Sequence, residues 1–306
     1  SYMQQWNIAI QRLLPSRLVL EVAYVGSHGL RLPFANMNLN QLPTQFIDYA
    51  RENFGSARDV NGAVATSVSQ FFNQQVTNPF FGVITNPNSP LAARTVTRER
   101  LLRPYPQYDS PTLYRPLIGA SKYHALQVTV RKTYSNGLSA MGTYSWSKAI
   151  DIGGAGNNSG GGTPLEDIYN PASDYTLSSI DVPHRATTSF SYEMPFLKKN
   201  NLLGGWQLSG TTTWQAGTPV GVTTSNGIGL GFAVRRPDRT GVPAEIPVSD
   251  MRDNIRGGGF AFNPEAYGNP AEFTLGNGAR NSSDTRRDPY RAVNMSVLKN
   301  FRWDKG

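Results

Sequence analysis

The feature that most restricts the fold of this sequence is a set of segments, arranged in pairs, in which apolar and polar residues alternate with a period of two. That period marks a strand whose two faces meet different surroundings. Arg185 to Met194 is the clearest case. Ala186, Thr188, Phe190, Tyr192 and Met194 fall on one face, and Arg185, Thr187, Ser189, Ser191 and Glu193 on the other. Gly205 to Gln215 repeats the pattern, with Trp206, Leu208, Gly210, Thr212 and Trp214 set against Gln207, Ser209, Thr211, Thr213 and Gln215. Leu126, Val128 and Val130 alternate with Gln127, Thr129 and Arg131. The chain then meets Asn136-Gly137, the strongest short signal for a two-residue hairpin turn, and returns through Leu138, Ala140, Gly142, Tyr144 and Trp146. Trp6 to Leu14 and Arg17 to Gly26 form another pair, turning at Pro15-Ser16, and Ala292 to Phe301 is a weaker seventh segment. Strands are expected over 4–14, 17–27, 122–133, 138–148, 185–194, 205–216 and 291–301.

The connections differ sharply in length. Within pairs they are short, including Pro195 to Gly204. Between pairs they run from Ser27 to Lys122, Lys148 to His184 and Gly217 to Arg291. Structureless loops of that length argue against a compact soluble domain. Short periplasmic turns alternating with long extracellular loops are instead the layout of outer-membrane barrels. The reading is therefore an all-β fold, an antiparallel transmembrane β-barrel, with the turns at Pro15, Asn136 and Lys198-Lys199 facing the periplasm. About 9–11 residues cross the bilayer in a tilted strand, the length of these segments. Trp6, Tyr24, Tyr123, Tyr144, Trp146, Tyr192, Trp206, Trp214, Phe301 and Trp303 sit near strand ends, where interfacial girdles place their rings. A soluble β-sandwich has the same alternation with its apolar face turned to a core. Loop asymmetry favours the barrel.

Composition agrees. Charged residues make up 16% and aromatics 11%, whereas a disordered chain carries more charge and fewer rings. The absence of cysteine excludes a disulfide scaffold, a Cys-based zinc site and a thiol nucleophile. The net charge is +8, but Lys and Arg are dispersed, with only pairs such as Arg235-Arg236 and Arg286-Arg287. No nucleic-acid partner is expected, since such binders concentrate their cations. No apolar run approaches the roughly 18 residues of a membrane helix, and Ser1-Tyr2-Met3-Gln4 opens directly into a strand pattern. Seven strands are fewer than the even number, at least eight, of a bacterial barrel. An unpaired edge is not viable in lipid. The chain is thus expected to be an arc of a larger barrel, with final strands absent and Phe301 to Gly306 a strand end without its return.

The candidate chemistry is sparse. The run from Gly153 to Gly162 lacks the Gly-Lys-Ser/Thr ending of a phosphate loop and reads as a loop tip. His28, His124 and His184 have no partners at metal-ligand spacing, and no Gly-x-Ser-x-Gly elbow occurs. Asp151, Glu166, Asp167, Asp174 and Asp181 share one long loop. They offer oxygen ligands suited to calcium, but follow no EF-hand spacing, so solvated loop charge is the expectation. Asp181 and Arg185 are expected to pair at the barrel mouth. No catalytic, cofactor-binding or metal-binding residue is assigned, no cofactor is expected, and the chain does not read as an enzyme.

One resemblance is specific. Tyr123-His124-Ala125-Leu126-Gln127-Val128-Thr129-Val130-Arg131-Lys132, then Gly137-Leu138, then Tyr144-Ser145-Trp146-Ser147-Lys148-Ala149-Ile150-Asp151 resembles the recurring hairpin of TonB-dependent transporters of the Oar-like subgroup. Asp181 to Pro195, Leu203 to Gly210, Trp6 to Arg12 and Glu21 to Gly29 are similar to it as well. The resemblance implies a barrel of about 22 strands with an N-terminal plug domain, energised from the inner membrane through a TonB box, both lacking in these residues. It implies uptake of a bulky or scarce solute, with the polar wall of Gln207, Ser209, Thr211, Thr213, Thr187 and Ser189 lining the lumen. The implied partners are outer-membrane lipid and lipopolysaccharide, the TonB complex and an extracellular cargo that the sequence does not identify. The alternative is a structural or adhesive surface protein without transport.

Overall fold

The computed structural model describes residues 1–153, 163–195, 204–225, 227–247, 250, 253, 255–256 and 261–301. The turn at Lys198-Lys199, most of the glycine run (154–162) and the end of the chain with Trp303 lie outside the described residues.

Seven long strands dominate: β1 (Tyr2–Leu14), β2 (Leu18–Leu32), β3 (Gly119–Ser135), β4 (Leu138–Asp151), β5 (His184–Glu193), β6 (Trp206–Gln215) and β7 (Tyr290–Lys299). They form one antiparallel sheet in chain order, and the short strand Thr176–Leu177 adds to the end of β4. Among the described residues the sheet does not close, and β1 and β7 are its edges.

The register converts the alternation into two faces. Ile10, Val22, Val128, Tyr144, Ala186 and Trp214 lie in one cross-strand row. One residue along the strands, Gln11, Glu21, Thr129, Thr143, Thr187 and Thr213 lie in a row on the opposite face. The apolar face is open. Ile8 and Ile10 on β1 and Val293 on β7 are about two-thirds exposed, and in the middle of the sheet Leu126, Val130 and Tyr144 remain about 40% exposed. A sandwich would bury this face beneath a second sheet. Here the buried apolar clusters lie in the connections instead, so the sheet is built for an apolar solvent.

Strands β5 to β7 have 10 residues each, enough to cross a bilayer, but β2, β3 and β4 have 15, 17 and 14. His184, the first residue of β5, pairs with Trp146, so β4 continues five residues further to Asp151. Beyond the ends expected from alternation, β2, β3 and β4 thus extend the sheet at the end bearing the long connections. Cross-strand pairing continues there through residues such as Gly29, Ser121 and Gly119, where alternation is lost.

The long connections are folded, against the expectation of structureless loops. The first carries α1 (Thr44–Asn53), α2 (Val68–Asn73) and α3 (Arg98–Leu102). Ser67 caps α2 by accepting from the Gln70 amide, the arrangement that satisfies an orphan donor at a helix start. Leu42, Ile47, Ala50, Phe71 and Phe72 from the first connection enclose a core with Ile228 from the third. A second core joins this cap to the sheet, because Phe34 follows β2, Ile118 precedes β3, Ile152 follows β4 and Leu165 belongs to the second connection. The cap therefore sits on the protruding strand ends.

At the other end the turns are tight. Asn136 and Gly137 have φ of 52° and 80°, the double positive φ of a type I′ turn. A Cβ on Gly137 would meet the Glu193 carbonyl at 2.6 Å, while the Gly137 carbonyl accepts from the Glu193 amide at 2.7 Å. The turn thus also fixes the end of β5. Gly137→Val is expected to destabilise the sheet by about 1–3 kcal/mol through the strained left-handed conformation, read as a lowered midpoint of urea unfolding in lipid. An unchanged midpoint would show that the turn does not set the register.

Candidate functional site

The polar face of the sheet is assembled from side chains that each strand supplies every second residue. Register sets Thr187 opposite Thr213, Ser189 opposite Thr211, and Glu193 opposite Gln207. The residues expected to form one polar wall, Gln207, Ser209, Thr211, Thr213, Thr187 and Ser189, share this face. Hydrogen bonds tie neighbouring strands along it. Thr143 and Thr187 hydroxyls pair, Gln207 donates to Ser191 at 2.6 Å, and Ser209 and Ser296 meet at 2.7 Å. Near the short turns the wall forms a trough of about 720 Å³ whose polar lining includes Arg131, Ser139, Ser191, Thr211 and Ser296. The bulge between Lys132 and Ser135 brings the Tyr134 hydroxyl to the Glu193 carboxylate at 2.7 Å. Such a wall offers hydroxyl and amide groups that exchange freely with water or with a polar solute.

At the long-connection end the cap is closed by buried charge. Asp174 and Asp181 are almost fully buried, and Glu166 and Asp167 are nearly so. This corrects the expectation of solvated loop charge. Each carboxylate has protein partners. Arg236 forms an ion pair with Asp174. Glu166 accepts from the Arg236 amide at 2.7 Å and the Gly276 amide at 3.3 Å. Asp167 accepts from Gln41 at 2.6 Å, and Gln41 in turn accepts from the Ile168 amide. Arg280 pairs with Asp151 and donates to the Leu177 carbonyl at 3.3 Å. Among the described residues no group of three or more His, Asp or Glu is arranged to hold a metal ion.

The expected Asp181–Arg185 pair is also corrected. Asp181 instead meets Arg286 at 2.7 Å and accepts from the Ala149 amide at 2.7 Å. The third connection brings Arg286 directly alongside Asp181. Arg286 also donates to the Gly217 carbonyl at 3.0 Å, which clasps the beginning of its own connection.

The three connections are therefore cross-tied: first to second through Gln41 and Asp167, second to third through Asp174 and Arg236. The first also meets the third where the Leu42 amide donates to the Leu230 carbonyl at 2.8 Å. Burial pushes the Arg236 guanidinium pKa below its usual value and Glu166 pulls against that shift. The group is held charged by its acidic neighbours, since an arginine is not deprotonated in proteins. Sequence reasoning missed this cluster. Arg236 lies 62 residues from Asp174 and 70 from Glu166, and the only sequence trace is the Arg235-Arg236 doublet and the acids of the second connection.

Two outcomes are expected. Arg236→Met leaves buried carboxylates without their counter-charge, a loss of about 3–5 kcal/mol. Trypsin should then nick the cap while the strands keep their folded, heat-modifiable mobility on gels. A protease-resistant cap would contradict the role given to Arg236. The second outcome concerns pH. Burial of Asp284 opposes its charge, but hydrogen bonds from Ser282, Arg239 and the Ala244 amide outweigh it and hold its pKa below the usual carboxylate value. Its stabilising contribution is complete above the unfolded value of about 3.9 and drains away as the pH falls through the lower folded value. Pepsin should nick the third connection increasingly below about pH 4, and Asp284→Asn should make the same connection sensitive to trypsin at neutral pH. A variant as resistant as the parent would refute this.

A family model described as an outer membrane beta barrel domain matches residues 1–306. No curated protein and no solved structure matches the chain.

Proposed function

The chain belongs to the outer membrane beta barrel domain family and is located in the cell outer membrane, and from that premise we propose that it forms the barrel portion of a TonB-dependent transporter that takes up a bulky solute. The observation that carries the reading is the hydroxyl-rich polar wall beneath a folded cap. A passive pore needs only the wall. A cap with two cores of its own and cross-ties among three connections is a preformed surface for capturing cargo. The hairpin resembling the Oar-like subgroup supports the same reading.

On this reading the sheet is an arc of a barrel of about 22 strands, whose remaining strands satisfy the edges of β1 and β7. The long connections face outward and the short turns face the periplasm. A plug domain fills the lumen, and energy arrives through the TonB complex. The chain does no catalysis, needs no cofactor and binds no nucleic acid. Its other neighbours are outer-membrane lipid and lipopolysaccharide.

The alternative, an adhesive surface protein, is favoured by one observation: Phe80, Phe81 and Val83 project from the cap, and Val83 is 77% exposed. Spent-medium analysis separates the two. If transport is right, a strain lacking this protein and a strain lacking TonB leave the same solute unconsumed. Loss of surface attachment with identical spent media would establish adhesion instead.

A further inference from the structure

The apolar face of the sheet has an unusual charge distribution. Among the described residues, the long strands carry three carboxylates, Glu21, Asp151 and Glu193, and by register all three lie on the polar face. The apolar face carries cations only. Arg12, Lys132 and Lys299 lie toward the short turns, and Lys122, Lys148 and Arg291 toward the cap. Basic side chains at the rim of an apolar band are placed to meet anionic head groups.

The cap end has a second, repeated feature. The Tyr24 hydroxyl on β2 meets His124 Nδ1 on β3 at 2.7 Å, with rings nearly parallel at 6.1 Å. The Tyr144 hydroxyl on β4 meets His184 Nδ1 on β5 at 2.8 Å, with rings nearly parallel at 6.2 Å. The two pairs have the same diagonal geometry. Each histidine lies two residues along its strand from the register partner of its tyrosine: Leu126 for Tyr24 and Ala186 for Tyr144. Lys148 is the register partner of His124, and Trp146 that of His184. Trp6 packs beside His124 at 6.1 Å.

The hydrogen bond fixes the orientation of each ring. In the neutral tautomer in which the tyrosine donates to Nδ1, Nε2 holds the proton. In a charged ring both nitrogens hold one. Nε2–H is a donor in that tautomer and in the charged ring, and the tyrosine holds the ring that carries it. A histidine donor beside a lysine, bracketed by tryptophans at the edge of an apolar band, matches a phosphate fixed to a lipid. The short-turn end has cations but, among the described residues, no histidine on its strands.

We propose that the cap end of the apolar face is a binding site for a phosphorylated glycolipid of the outer leaflet, gripped through its phosphates by His124, His184, Lys148 and Lys122. Charge complementarity and the apolar band below, which receives the acyl chains, select this occupant. The proposal rests on the reading above that the long connections face outward.

The test uses the full protein in nanodiscs of neutral phospholipid, with bisphosphorylated lipid A and its dephosphorylated form as probes, and bound lipid counted by native mass spectrometry. Bisphosphorylated lipid A should be retained at least tenfold better than the dephosphorylated form. His124→Phe with His184→Phe, which keeps the rings and removes the donors, should abolish that preference. Lys148→Gln, at an exposed position, should weaken it severalfold and serves if the double variant fails to insert. Arg12→Gln with Lys132→Gln, at the other end, should leave it intact. Equal retention of the two lipids, or equal loss from the Arg12 and Lys132 variant, would overturn the proposal. Orientation is read separately. The chain has no cysteine, so Val83→Cys should be labelled on intact cells by an impermeant maleimide. Failure of labelling would sink the outward reading and the outer-leaflet assignment, while phosphate selectivity in nanodiscs would still be measured independently.

Discussion

In the hydrocarbon core of a membrane there is no water to satisfy a backbone amide or carbonyl, so every such group on a spanning segment must pair within the protein. The rest of this structure depends on that constraint. It requires an unbroken ladder from β1 to β7, and the observed registers supply one, with shifts only at Leu30/Leu32 and Lys132/Ser135. Both irregularities lie near strand ends, away from the middle of the sheet. The ladder leaves side chains free to specialise by face. One face is apolar and exposed, and the other is a wall of hydroxyls. Tight pairing also explains small residues at crowded points. Trp6 lies over its register partner Gly26, where any side chain would collide with the indole.

The cap obeys the opposite rule. It stands beyond the strands, in water, and must bury its own apolar surface to be stable. It does so with two small cores and with charge. Burying an ion pair is costly unless both partners are fully hydrogen-bonded. The acids of the second connection offset part of this cost by drawing arginines and amides from elsewhere in the chain. Removing water also strengthens each interaction, so a few ion pairs join three long connections that share little secondary structure. The exposed pair Arg51 and Asp48, three residues apart on α1, contributes far less because solvent screens it.

These two rules explain which features were legible in the sequence. A strand between lipid and a polar lumen must alternate, so Arg185 to Met194 announces itself from its residue pattern alone. The ends of β2 to β4 were not legible, because Gly26-Ser27-His28-Gly29 does not alternate and is held as strand only by its neighbours. The polar wall was readable, since Thr187, Ser189, Thr211 and Thr213 follow from parity once the strands are placed. The cap was not, although Phe46, Ile47, Ala50 and Phe54 have the spacing of a helix face. The length of the connection pointed to irregular structure and hid that local signal. Its ion pairs were invisible for a simpler reason: Asp174 and Arg236 are brought together only by the folded connections. Proximity in sequence suggested Arg185 for Asp181, and geometry supplied Arg286.

The different origins of stability in the sheet and cap have a functional consequence. The sheet is held by main-chain pairing that no side-chain change removes as a whole. The cap is held by two small apolar cores and a handful of buried ion pairs, and small units of this kind open at lower free energy than the domain that carries them. A ligand that binds the open cap better than the closed one shifts the balance only by that difference in affinity. The ion pairs of Asp174 with Arg236 and of Asp181 with Arg286 are part of the charged contacts of the cap, above the protruding ends of β2 to β4. A change confined to the cap would leave the main-chain ladder of the sheet undisturbed.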